Sequence, residues 1–150
     1  MNSDFQPLDG GCACGRVRYR LTAAPRTVHA CHCRQCQRLS GSAFSINAEI
    51  DIRNLDLIGE APPEALSVVS EHTQNGRIWR CPKCATKLYS DHFLADEHTR
   101  YLHVGTLDQG EALPPRAHFF TRSKHPWIIL PPELPTYTTF PHAEESGSSG

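Results

Sequence analysis

Cys31-His32-Cys33-Arg34-Gln35-Cys36 is the stretch that most restricts what this chain can fold into. Its three sulfurs fall within six residues, at spacings of two and three. That is too close for a disulfide framework and well suited to one metal ion, because a tetrahedral zinc site gathers four nitrogen or sulfur donors. Only three cysteines are local. The other four of the seven form two further pairs, Cys12/Cys14 and Cys81/Cys84, one on each side. Four sulfurs can close a structural site, whereas three leave a coordination position open for chemistry.

Composition narrows the setting. A chain of 150 residues is most simply one domain. At 39% hydrophobic residues it is slightly lean, so a structural metal would help it. The formal net charge of -1 provides no global field for nucleic acid or an anionic membrane, and neither is expected as a partner. Trp127-Ile128-Ile129-Leu130 is far too short to span a bilayer. The N-terminal residues carry Asp4 and Asp9 and lack the apolar stretch of a secretory signal. A cytoplasmic setting follows, where thiols stay reduced and closely spaced cysteines read as metal ligands. The odd cysteine count also leaves one thiol over in any all-disulfide scheme.

Taken in order, residues 1–9 read as a flexible tail. Gly10-Gly11-Cys12-Ala13-Cys14-Gly15 is a tight chelating turn whose glycines permit conformations that a Cβ disfavours. Arg16 to Leu21 alternates polar and apolar strictly and reads as a half-buried strand. Thr27 to Ala30 is a short strand that delivers Cys31. Arg34 to Leu39 could form one or two helical turns, with Gly41 as the C-terminal cap. Ala43 to Ile50 reads as a strand with Phe44, Ile46, Ala48 and Ile50 on one face. Leu55 and Leu57 suggest more sheet. Val68-Val69 and Ile78-Trp79 read as a hairpin through the Asn75-Gly76 turn signal, running into Cys81-Pro82-Lys83-Cys84 as a zinc knuckle. Lys87 to Tyr89, Tyr101 to Val104 and Ala117 to Phe120 are further strands. Asp108 is read as a turn residue, and Ser123 to Trp127 as a turn closed by an apolar plug. The prolines from Pro131 to Pro135 imply an extended arm, and residues 141–150 a disordered tail. Short strands, many turns and little helix make a mainly β protein.

The sulfurs can be paired in two ways. In one, Cys12 and Cys14 join Cys81 and Cys84 in a closed site, and Cys31, Cys33 and Cys36 form an open one. In the other, Cys33 and Cys36 join Cys81 and Cys84 in a zinc ribbon, with three cysteines left over. The first pairing is favoured because it uses every sulfur, and a cross-link between distant segments gives the larger loop-closure gain.

Gly11-Cys12-Ala13-Cys14-Gly15-Arg16-Val17-Arg18-Tyr19, Cys31 to Cys36 with Ser40-Gly41-Ser42-Ala43-Phe44, and Cys81-Pro82-Lys83-Cys84 together resemble the glutathione-dependent formaldehyde-activating enzyme family, which also includes centromere protein V. The resemblance runs on through Gly105-Thr106-Leu107-Asp108 and His118 to Ser123-Lys124-His125-Pro126-Trp127-Ile128. It implies a zinc domain over residues 10–140 with a β-tent fold of several short antiparallel sheets. It also implies two zinc ions: a structural one on Cys12, Cys14, Cys81 and Cys84, and a catalytic one on Cys31, Cys33 and Cys36. The activity it implies is condensation of formaldehyde with glutathione to S-hydroxymethylglutathione, classed as a carbon–sulfur lyase. Ala85 departs from the family pattern, which has glycine there, and could strain a left-handed turn.

For that chemistry an acid/base group is needed, and His32, between two ligands, is the candidate; the alternative is a residue that supports the ligands or lies on the surface. His29 is read as structural. Arg34, Arg38 and Lys124 could receive the carboxylates of glutathione, and Ser42 could offer a hydroxyl beside the metal; the other reading makes the three cations solvated surface charges and Ser42 part of a turn. Phe44 and Trp127 are assigned to the core. The rival function is a zinc-stabilised binding module without catalysis.

Overall fold

The computed structural model describes residues 4–69, 76–91 and 96–141. Among these residues the chain forms ten strands and one α-helix: β1 (Leu8–Gly11), β2 (Arg18–Leu21), β3 (Thr27–Cys31), α1 (Arg34–Ser40), β4 (Ser45–Asp51), β5 (Leu55–Leu57), β6 (Glu64–Val68), β7 (Gly76–Arg80), β8 (Lys87–Asp91), β9 (Thr99–His103) and β10 (His118–Phe119). The protein is mainly β with little helix, as its sequence implies. No helix among the described residues is long and apolar enough to cross a membrane. The chain divides into two compact units, one of residues 1–27 and 48–113, the other of residues 28–47 and 114–150.

In the first unit, β1, β2 and β5 form an antiparallel sheet in that order. The alternation read from the sequence holds: Val17, Tyr19 and Leu21 are all fully buried. Leu8 and Asp9, assigned to a tail, belong to β1, where Leu8 is buried opposite Leu21. Gly10 faces Tyr19, and a Cβ on it would lie 2.5 Å from both the Tyr19 hydroxyl and the Thr106 carbonyl oxygen. The absent side chain lets the Tyr19 hydroxyl reach Thr106 Oγ1 at 2.6 Å. A second antiparallel run orders β9, β8, β7 and β6. The β6–β7 hairpin is longer than its apolar residues suggested, with cross-strand pairs from Glu64↔Arg80 to Val68↔Gly76. Asn75 of its expected turn lies outside the described residues.

In the second unit, β3 is buried from Val28 to Cys31 and pairs with β10 in parallel, His118 beside Ala30 and Phe119 beside Cys31. The pair is parallel, unlike the antiparallel runs of the first unit. The chain between β3 and β10 is long enough for the crossover a parallel pair requires. The proline-rich arm then runs along β10. The His118 amide donates to the Pro135 carbonyl at 3.1 Å, and the Tyr137 amide to the His118 carbonyl at 2.9 Å.

Two burial expectations fail. On β4 the buried residues are Ser45 and Asn47, then Ala48 and Ile50, so the single apolar face does not persist; Ile46 is only half-buried. The inward positions change parity at Asn47/Ala48, where the chain leaves one unit for the other. Trp127 is no plug, being 70% exposed. Its turn is satisfied without it: Lys124 Nζ donates to the His125 and Ile128 carbonyls at 3.2 and 2.8 Å, and the indole stacks on the His125 ring at 5.4 Å.

Candidate functional site

The seven sulfurs separate into two clusters. Those of Cys12, Cys14, Cys81 and Cys84 lie within 4.8 Å of one another, as do those of Cys31, Cys33 and Cys36. None is in a disulfide. This is the grouping of the first pairing, four sulfurs and three.

The four-cysteine cluster is built from two hairpin tips of matching design. In the tip between β1 and β2, the Cys12 amide donates to the Val17 carbonyl at 3.0 Å. In the tip between β7 and β8, the Cys81 amide donates to the Thr86 carbonyl, five residues on, also at 3.0 Å. Each tip turns through one left-handed residue, Gly15 at φ 87° and Ala85 at φ 67°. The sulfurs receive backbone donors, as thiolates require: Val17 N–H reaches Cys12 Sγ at 3.3 Å, and Lys83 and Cys84 N–H reach Cys81 Sγ at 3.3 and 3.4 Å. Thr86 ties the tips together, its hydroxyl accepting from the Ala13 amide and touching Cys84 Sγ, each at 3.1 Å. That hydroxyl, followed by the Thr86 backbone, holds the Cys84 thiol down to about 5. Cys14 Sγ lies 3.6 Å from Cys12 Sγ and 3.7 Å from Cys81 Sγ. A tetrahedron with zinc–sulfur bonds of about 2.3 Å has edges of roughly 3.8 Å. The donor set therefore fits a closed zinc site.

Ala85 carries the strain its sequence position suggested. An L-residue in the left-handed region costs roughly 1–2 kcal/mol, and glycine returns about 0.5–1 kcal/mol of that as unfolded-chain entropy. Ala85→Gly should therefore raise stability by about 0.5–1 kcal/mol, seen as a melting shift of a few degrees. An unchanged or lower melting temperature would mean that the turn is not strained.

The three-cysteine cluster sits where β3 becomes α1. Strand alternation sends Cys31 and Cys33 to one side and His32 to the other. Cys33 is the N-cap of α1, its sulfur accepting the Cys36 amide at 3.3 Å. Cys36 follows three positions on, the helical spacing that brings two side chains onto one face. Gly41 at φ 67° ends the helix, as expected. Cys31 and Cys33 pack against Phe120, with Cys36, Phe119 and Phe140 around them. Phe120 has φ 59° and ψ 42°, an uncommon conformation for a bulky residue that clusters at functional sites.

Crowding decides the electrostatics here. Cys33 beside it, together with burial, pushes the Cys31 thiol up to about 12, against a lowering contact from Cys36. Cys31 and Cys33 push Cys36 far up as well. Three such thiols cannot ionise together without a cation among them, and a divalent metal is what removes that penalty. The residues present thus fit a metal with three sulfur donors.

His32 is fully buried, and its Nε2 lies 3.0 Å from His118 Nδ1. Burial, then the His118, Lys124 and His125 charges, drives its pKa down to about 4; burial also lowers His118. Its ring lies 5.0 Å from that of Phe44. His29 stacks on Phe119 at 4.1 Å. Of the proposed substrate groups, Arg34 donates to Gln37 Oε1, and Lys124 is engaged by its two carbonyls. Arg38 and Ser42 are exposed. Asp108 is more than a turn residue: it makes a two-point ion pair with Arg18, at 3.0 and 2.6 Å.

Sequence reasoning missed Gln37, Phe120 and Thr86. Gln37 was recoverable, since it lies four positions after Cys33 on the face that Cys36 shares. The conformation of Phe120 has no signal in its residue type.

The fold is mainly β, and its two cysteine clusters are compatible with metal binding. Residues 7–123 match the family described as glutathione-dependent formaldehyde-activating enzyme, and the chain belongs to that family. A Halomonas elongata protein, described as a candidate member with that activity, is 25% identical over 129 residues, covering 82% of this chain and 80% of its own. One from Sordaria macrospora with the same description is 35% identical over 75 residues, which is 50% of this chain and only 30% of that protein's length. A crystal structure of a Rhodobacter sphaeroides protein shares the fold, with a TM-score of 0.52 at 16% identity, covering 86% of this chain and 99% of that one.

Proposed function

We propose that this protein is a zinc-dependent carbon–sulfur lyase resembling S-(hydroxymethyl)glutathione synthase, acting on glutathione or a related thiol adduct. The observation that carries the reading is the group of three sulfurs, Cys31, Cys33 and Cys36, gathered within 4.8 Å without a fourth cysteine. Family membership supports it. Two zinc ions per chain are assigned, a structural one to Cys12, Cys14, Cys81 and Cys84 and a second to Cys31, Cys33 and Cys36. Zinc held by three protein donors supplies a Lewis acid with one open position.

The overall reaction adds a thiol across the carbonyl of formaldehyde. A carbon–sulfur bond forms, the S–H bond breaks, and the proton ends on the former carbonyl oxygen. Proton handling is assigned to His32 together with His118, whose facing nitrogens share one proton across 3.0 Å. Recognition of the thiol's carboxylates is assigned to Arg34, Arg38 and Lys124, and a hydroxyl beside the metal to Ser42. A small-molecule thiol is the partner in this reading, and a reducing cytoplasm the compartment.

Metal content per chain, followed by exchange spectroscopy of formaldehyde and glutathione by NMR, tests the proposal. Protein holding two zinc ions should speed interconversion of free and S-hydroxymethylated glutathione well beyond the spontaneous rate. Two bound ions with no acceleration would leave the binding-module reading in its place.

A further inference from the structure

The loop that carries Cys31, Cys33 and Cys36 is held by a side chain that is neither a ligand nor an acid/base candidate. Gln37 is 6% exposed, an unusual degree of burial for a polar residue in a seven-residue helix. Its Nε2 donates to the His32 carbonyl at 2.8 Å and to the Ser123 carbonyl at 3.0 Å, and its Oε1 accepts from Arg34. One carboxamide thus joins the peptide between two of the cysteines to the 3-10 turn of Thr121–Ser123. Both amide protons and the oxygen are used, so the group is fixed in orientation.

Two further ties run between the same pieces of chain. The His32 amide donates to the Phe119 carbonyl at 2.9 Å, and the His32 ring meets His118. Those two hold the strand side of the loop, whereas Gln37 spans from the helix side. Ser123 opens the turn that Lys124 closes on the Ile128 carbonyl, so the same contact also seats the segment carrying His125 and Trp127.

We propose that Gln37 is a positioning residue, its carboxamide clamping the His32 peptide to Ser123 so that Cys33 and Cys36 keep the separation a shared metal needs. The inference rests on the metal reading of the three-cysteine cluster. Hydrogen-bond partners that orient ligands are typically worth 10–100-fold in metal affinity, and a donor lost from a buried carbonyl also leaves that carbonyl unpaired.

The test compares wild type with Gln37→Met, which keeps length and burial but loses both donors, and Gln37→Glu, which also keeps the oxygen facing Arg34. Two readouts are taken on the purified full chain: zinc release to a chromogenic chelator, and iodoacetamide labelling of each cysteine followed by mass spectrometry. Both variants should release the weaker-held zinc about tenfold faster, with the slower phase unchanged. Labelling of Cys33 and Cys36 should rise several-fold relative to Cys12 and Cys84. Equal relative labelling in wild type and variants would overturn the clamp, as would failure of both variants to fold, which would make Gln37 a residue of the fold alone. If wild type holds a single zinc, the proposed function falls, yet the labelling ratio still decides the role of Gln37.

Discussion

Cys81→Ser should lose the zinc assigned to the four-cysteine cluster and most of the protein's thermal stability with it. Cys81 is 1% exposed and accepts two backbone N–H groups, so its sulfur is the anchor of the β7–β8 tip. A serine hydroxyl is shorter, stays protonated and is a poor zinc donor. The cluster joins segments 67 positions apart, from Cys14 to Cys81, so the metal removes a large loop from the unfolded ensemble. Structural zinc in small domains supplies apparent free energies of about 10–16 kcal/mol, comparable with the entire net stability of a domain at about 5–15 kcal/mol. Loss of one donor in four therefore costs a sizeable part of folding. Zinc analysis and thermal unfolding of wild type and Cys81→Ser check this together. A mutant that melts with wild type and keeps its zinc would show that the cluster is not a structural site.

The cysteine clusters were legible because their spacing encodes local geometry. A CxxC can hardly avoid bringing its sulfurs together, and glycine beside Cys14 announces the left-handed turn found there. The β2 alternation was legible because one face of that strand is buried throughout. What escaped depends on distant partners. The ion pair of Arg18 with Asp108 joins residues 90 positions apart, which no local pattern encodes. The parallel pairing of β10 with β3 leaves no trace in a two-residue strand. Trp127 was taken for core on hydrophobicity alone, but its turn is closed by Lys124 and a proline, so the ring has no need to enter. On β4 a period of two was read through a change of parity that apolar pattern cannot reveal, since Ser45 and Asn47 take buried places. Gln37 and His118 look like ordinary polar residues in sequence. Their importance comes from what the tertiary structure sets before them, the carbonyls of His32 and Ser123 and the ring of His32.

Cys36→Ser should behave in the opposite way to Cys81→Ser: the fold stands, and zinc falls from about two to about one per chain. The assigned site has three protein donors, so removing one leaves two, which hold zinc poorly against competing buffer. None of the four other sulfurs belongs to this cluster, so their metal should remain. The fold cost is limited to a partly exposed side chain packed beside Phe120 and to the α1 turn it helps shape. The Cys33 N-cap keeps its donor, because the Cys36 amide that reaches its sulfur is backbone. Melting of Cys36→Ser beside Cys14→Ser is the decisive comparison. Cys14→Ser should fall steeply and Cys36→Ser by little, each with zinc counted on the same sample. The reverse order would give Cys33 and Cys36 the structural role, and with it would go the open position on which the proposed thiol chemistry depends.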